Sequence, residues 1–131
     1  MENILTNFKK FFIVGCIAFS TDISLYFLFL EIGFISTFSK GLSFICGLLV
    51  GYFLNSFFTF NQPKISSIKF YKYILVYFVS LLANITVNER AVIYLKDIIW
   101  DEFIFLGAVI CATVVSLLMN FFGLRNYVFK D

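Results

Sequence analysis

Hydrophobic residues fill four long stretches of this chain, about residues 11–30, 41–60, 73–95 and 103–122, each near the roughly 20 residues a helix needs to cross a bilayer. The pattern predicts an all-α integral membrane protein with four transmembrane helices. The second stretch, with no charged side chain over 41–61, is the most informative. Read at every fourth residue it gives Ser39, Ser43, Gly47, Gly51, Asn55 and Thr59, small and polar groups on one helical face, while Phe44, Leu48, Phe53 and Phe57 fall elsewhere. Lipid tails are as apolar as Leu, so helices in a membrane associate by close backbone approach and hydrogen bonding. Gly47-x-x-x-Gly51 offers the first and Asn55 the second, and the stripe is expected to face protein.

Between the spans the pattern changes sharply. Ile4, Leu5, Phe8 and Phe11 recur at helical spacing before span one, an interfacial lead-in that carries Lys9 and Lys10. These lysines resemble the start of a secretion signal. The apolar run that follows is too long for one, lacks a small-x-small cleavage site and precedes further spans, so it reads as retained. Residues 31–40 form a short connection, Pro63 ends the second helix, and residues 65–72 make a second basic approach to the membrane. The charged connection 96–102 carries Trp100, the one tryptophan, suited to an interfacial anchor.

Composition narrows the function classes. Of 131 residues 61% are hydrophobic and 21% aromatic, and the mean hydropathy is +0.95, far above the soluble range of about 45–50% apolar. With no His, the commonest general base and metal ligand is missing, so neither an enzyme, nor a metal site, nor a cofactor is expected. Cys16, Cys46 and Cys111 lie in apolar runs, and their odd number argues against a disulfide framework. A net charge of +2 implies no nucleic-acid partner, and its distribution matters more than its sum. Lys9, Lys10, Lys64, Lys69, Lys72, Arg125 and Lys130 lie on the side of both termini, against Lys40, Arg90 and Lys96 on the other, which puts both termini in the cytoplasm. Glu31, Asp97, Asp101 and Glu102 fall on the outer side.

The chain also repeats. Phe8-Lys-Lys-Phe11 corresponds to Phe70-Tyr-Lys-Tyr73, and Asp22 to Asn84 at the same offset. In the second helix of each half, Gly47, Gly51 and Asn55 match Ala112, Ser116 and Asn120, and Thr59-Phe60 resembles Val128-Phe129 further along. Each repeat holds two spans, which predicts two parallel two-helix repeats, an arrangement that leaves a cavity between halves in some transporters.

Asp22 stands about 11 residues into span one, roughly 16 Å at 1.5 Å per residue, close to the bilayer middle. An unpaired carboxylate there costs on the order of 2.5–3.5 kcal/mol even on the mildest scales, so it needs a partner, a proton or water. Tyr26 follows one turn later on the same face. In span three Tyr77, Ser80, Asn84 and Asn88 form a polar stripe, and the two amides suit either helix association or a hydroxyl-rich ligand such as a sugar. Lys40 at the outer end of the small-residue stripe, with Arg125 and Lys72 at the inner edge, places cations at both ends of a polar path, as phosphate stations or as interfacial anchors.

Together these residues resemble the GtrA-like family of small four-span membrane proteins associated with polyprenyl-phosphate-linked sugars. The resemblance covers about residues 8–130 and rests on Phe8-Lys9-Lys10-Phe11 leading to Gly15 and Thr21-Asp22, Lys40 with Ser43-Phe44, Gly47, Tyr52-x-x-Asn55, Thr59-Phe60, and the closing run from Asn120 to Phe129. The family usually has Asn-Arg near the end of span two, where this chain has Asn55-Ser56; Arg125 in the second half remains. It implies one transmembrane domain over 1–131 in the bacterial cytoplasmic membrane. It also implies a carrier of polyprenyl-phosphate monosaccharide, such as undecaprenyl-phosphate glucose, to the outer leaflet for cell-wall or surface polysaccharide glycosylation. Asp22, Tyr26, Lys40, Asn55, Tyr77, Asn84, Asn88, Asn120 and Arg125 are the expected substrate-binding residues. The alternative is a membrane adaptor that recruits a glycosyltransferase; glycosyltransferases of the same pathway are expected partners under either reading. A bundle this small is compatible with a homo-oligomer.

Overall fold

The structure, a computed structural model, describes residues 3–98 and 100–130, apart from the side chains of residues 101 and 102. The expectations placed on Asp101 and Glu102 as outer acidic side chains therefore lie outside the described residues. The fold is all-helical, and among the described residues four helices are long and apolar enough to cross a membrane. They form two compact units, Met1–Ile65 and Ser66–Asp131, each an antiparallel helical hairpin.

In the first hairpin, α1 runs over Ile4–Glu31 and α2 over Ser36–Leu54, the latter continuing into a π-helical segment, Asn55–Thr59. The lead-in before span one is therefore helical and continuous with the span, since nothing between Ile4 and Phe11 breaks the apolar spacing. At the other end Gly33 adopts φ 100°, a left-handed conformation that suits glycine. The turn brings Phe34 N–H to Phe29 O at 3.0 Å. The connection is shorter than residues 31–40: Lys40 sits inside α2. The hairpin ends where Phe60 N–H bonds Asn55 O at 2.9 Å and Gln62 N–H reaches back to Ser56 O at 2.8 Å, with Asn61 at φ 49° just ahead of Pro63.

The second hairpin consists of α3, Ser67–Leu95, and α4, Asp101–Gly123, again continued by a π-helical segment, Leu124–Val128. Ser66 caps α3 by accepting the Lys69 N–H. Trp100, exposed, stands at the N-cap position of α4, where its backbone carbonyl accepts the Phe103 N–H at 2.9 Å. The fourth helix thus runs past residue 122, the expected end of its span, as far as Val128.

Small residues hold each hairpin closed. Ser39, Ser43, Gly47, Gly51, Asn55 and Thr59 are all buried, while Phe44, Phe53 and Phe57 are exposed, so the stripe faces protein as its period predicts. A Cβ added to Gly47 would stand 2.9 Å from the Ala18 carbonyl oxygen and 3.2 Å from Asp22 Cβ. Gly123 does the same for the second hairpin, where a Cβ would meet Val76 Cγ1 at 2.6 Å.

The hairpins are copies of one another, with a correction to the register of the second helix. The π segments open at Asn55 and Leu124 and are followed by Phe60 and Phe129, so Asn55 corresponds to Leu124 and not to Asn120. Carried back along the helices, this register pairs buried Ser39, Ser43 and Tyr52 with buried Ala108, Ala112 and Phe121. It also pairs Gly47 with Ser116, Gly51 with Asn120 and Ser56 with Arg125. An independent contact agrees: Lys10 Nζ lies over the Phe58 ring at 5.4 Å, and Lys72 Nζ lies over the Tyr127 ring at 4.9 Å. For the first helices the Asp22–Asn84 register stands unchanged.

Candidate functional site

α1 carries Asp22 nine residues before its end at Glu31, about 14 Å from the loop end and about 27 Å from the other at 1.5 Å per residue. The carboxylate is therefore in the loop-side half of the helix, not at its middle. Because α2 starts at Ser36, its second turn faces this level. Lys40 Nζ donates to Asp22 Oδ2 at 2.5 Å and Ser43 Oγ donates to Asp22 Oδ1 at 2.6 Å. Of the three ways to keep a carboxylate in a membrane helix, this protein uses a partner. Gly47, without a side chain, lets α2 approach closely enough for both contacts.

Tyr26 extends the cluster toward the loop. Its hydroxyl shares a 2.9 Å hydrogen bond with Ser36 Oγ, and its ring lies 5.8 Å from Lys40 Nζ. Exposure divides the ion pair unequally: the Lys40 side chain is 55% exposed and that of Asp22 only 13%. The cation thus fronts the cluster, with the carboxylate behind it. An accessible ammonium beside two hydroxyls can bind an anion, and phosphate oxygens fit such donors.

The equivalent level of the second hairpin is polar but uncharged. Asn84 Nδ2 donates to Ser116 Oγ at 2.8 Å, Ser80 Oγ donates to the Ser116 carbonyl at 3.2 Å, and Ser116 Oγ donates to Ala112 O at 2.9 Å. Asn84 is therefore occupied in closing the hairpin. Asn88, one turn on, is half-buried, and neighbouring Glu89 and Arg90 are exposed. Tyr77 stacks on Tyr73 with centroids 4.5 Å apart.

The remaining expected residues lie elsewhere in each hairpin. Asn55 is 15 residues from Lys40 along the same helix, about 22 Å, and its Oδ1 accepts from Thr59 Oγ1 at 3.0 Å. It joins the packing stripe and not the Asp22 cluster. Asn120 presents a buried Oδ1 with no hydrogen-bond partner among the described residues, and Arg125, in the π segment one turn later, has a buried Nη1. Each hairpin thus has one cation on its second helix at a different end: Lys40 near the loop in the first, Arg125 near the open end in the second. The positions equivalent to them are Val109 and Ser56.

A family model described as GtrA/DPMS, transmembrane domain, matches residues 10–129, nearly the whole chain. The chain belongs to this family. No curated protein and no solved structure matches it. As a GtrA/DPMS transmembrane domain it is a multi-pass membrane protein of polyprenyl-phosphate sugar handling. The Asn-Arg pair expected near the end of span two has no counterpart at Asn55-Ser56, but the structure puts Arg125 at the position equivalent to Ser56, in the other hairpin of this GtrA/DPMS domain.

Asp22, Tyr26 and Lys40, expected from the sequence as binding residues, come together in one cluster, while Ser36, Ser43 and Ser116, the hydroxyls that hold the polar groups in place, were not among the residues expected there. Ser43 was visible as part of the stripe, three residues after Lys40. Its signal was masked by the packing role that the whole stripe shares.

Proposed function

We propose that the protein carries a polyprenyl-phosphate-linked monosaccharide, such as undecaprenyl-phosphate glucose, between the leaflets of a bacterial cytoplasmic membrane. Both termini lie in the cytoplasm, and the lipid is delivered outward to glycosyltransferases that build surface polymers. The observation that carries this reading is the Lys40–Asp22–Ser43 cluster, a charged group kept inside a membrane hairpin with its cation exposed to a ligand. A structural hairpin does not require it, since Asn84 and Ser116 close the same level of the second hairpin without charge. Arg125 supplies a cation at the open end of the second hairpin, suited to bidentate contact with phosphate. With no His in the chain, the chemistry proposed is binding and release, not bond cleavage, with transport running downhill as the lipid is consumed.

The test is reconstitution of the protein alone in liposomes loaded with polyprenyl-phosphate glucose, followed by an impermeant sugar-modifying reagent added outside. Wild type should expose the inner-leaflet pool at least tenfold faster than empty liposomes. Equal rates would leave the adaptor reading, in which the same polar groups hold a glycosyltransferase.

A further inference from the structure

We propose that Asp22 is a built-in competitor for the phosphate received by Lys40, so that return of the carboxylate to the ammonium is the release step. This rests on the reading of the protein as a carrier of a phosphate-linked lipid. Four features of the first hairpin support it. The exposed partner of the ion pair is the cation, so an anion arriving from lipid meets Lys40 and displaces the carboxylate from it. The displaced carboxylate keeps a donor, because Ser43 Oγ holds its other oxygen at 2.6 Å. That hydroxyl also lies 3.1 Å from the Lys40 carbonyl oxygen and has one proton for two acceptors. It already donates to the carboxylate while Lys40 holds the other oxygen, so it can keep that bond when the ammonium leaves, with the backbone carbonyl as its alternative acceptor.

The ammonium likewise has somewhere to go. The Tyr26 ring 5.8 Å away provides a face on which it can rest when it leaves Asp22, and the paired Tyr26 and Ser36 hydroxyls lie at the level where ligand oxygens would arrive. The charged and titratable side chains at this level are Asp22 and Tyr26 from α1 and Lys40 from α2, with Glu31 exposed at the end of α1. One cation thus serves two anions in turn. A lysine without a competitor would bind the phosphate tightly and give it up slowly, whereas a competitor on the neighbouring helix exchanges affinity for turnover.

The second hairpin provides the control. Asn stands at the position of Asp22, so Asp22→Asn is a substitution that the same hairpin architecture already accommodates. Full-length protein in nanodiscs of zwitterionic lipid is titrated with a fluorescent short-chain prenyl-phosphate glucose, and flipping is measured in liposomes. Asp22→Asn should bind the probe at least tenfold more tightly, about 1.4 kcal/mol, and flip it at least tenfold more slowly. Lys40→Gln should bind at least tenfold more weakly, and Asp22→Asn added to Lys40→Gln should restore nothing.

A wild-type measurement makes the test independent of how the variants fold: saturation with the probe should shift an infrared carboxylate band that is absent from Asp22→Asn. Unchanged or weaker binding by Asp22→Asn, or a carboxylate band that does not move, would overturn the competition. Phosphatidylglycerol in place of the probe forms a separate arm. If Asp22→Asn tightens its binding equally, competition for Lys40 stands but the ligand is bulk anionic lipid, and the carrier reading loses its site.

Discussion

At the residue scale, the decisive contact is one that reverses the expected behaviour of Asp22. An isolated carboxyl in hydrocarbon would make Asp22→Leu neutral or stabilising, but here the same change leaves Lys40 without its partner. Asp22→Leu should therefore destabilise the first hairpin by about 1–3 kcal/mol, between the roughly 0–1 of exposed pairs and the roughly 3–5 of buried ones. Adding Lys40→Leu to Asp22→Leu should recover most of the loss, because no unpaired charge is left. Thermal unfolding of the purified variants in detergent checks both; a double variant no more stable than Asp22→Leu would show that the carboxylate matters for shape and not for charge. The need of Asp22 for a partner was legible in its position within an apolar run. Its identity was not, because that depends on where α2 begins: with a helix starting at residue 41, Lys40 is a loop residue, and with Ser36 as the first residue it faces Asp22.

At the scale of the helix, close approach depends on which small residues face the neighbouring helix and not on glycine as such. Gly47→Leu should cost about 1–3 kcal/mol or more through overpacking, since its first side-chain atom already meets the Ala18 carbonyl at 2.9 Å. Gly123→Leu should do likewise through Val76. Phe44→Leu, on the exposed face, should be nearly silent, as should Gly41→Leu, where a Cβ meets nothing within 4 Å. Folded yield and unfolding temperature measure the contrast, and equal tolerance at positions 47 and 41 would contradict the packing described. The stripe in α2 could be read from the sequence because its period is that of the helix. The same periodicity misplaced the repeat: small and polar residues recur every fourth position, so sliding one second helix by a turn still matches small to small, as Gly51 to Ser116 shows. The match of Thr59-Phe60 with Val128-Phe129 already carried the observed register, and the π segments and the Lys10–Phe58 and Lys72–Tyr127 contacts decide for it.

At the scale of the whole molecule, membrane orientation is the property on which any direction of transport depends. Cytoplasmic segments retain Lys and Arg, and of the three lysines that lie over aromatic rings, Lys10 and Lys72 belong to the helix ends on the side of the termini and Lys40 to the other side. On the other side fewer free bases stand than a count suggests, because Lys40 is paired with Asp22 and Arg90 and Lys96 remain, which enlarges the excess on the side of the termini. Single cysteines introduced at Asn3 and at Lys130 should therefore react with an impermeant maleimide only after the membrane is opened, while one at Asp97 should react in intact cells. The background must first lose Cys16, Cys46 and Cys111, all unpaired thiols, of which Cys16 and Cys111 are exposed on the hairpin surfaces. Labelling of Asn3 and Lys130 from opposite sides would break the four-span topology. Labelling of both from outside would keep four spans but invert them, placing Lys40 at the cytoplasmic face as the receiving station and Arg125 at the outer face as the releasing one.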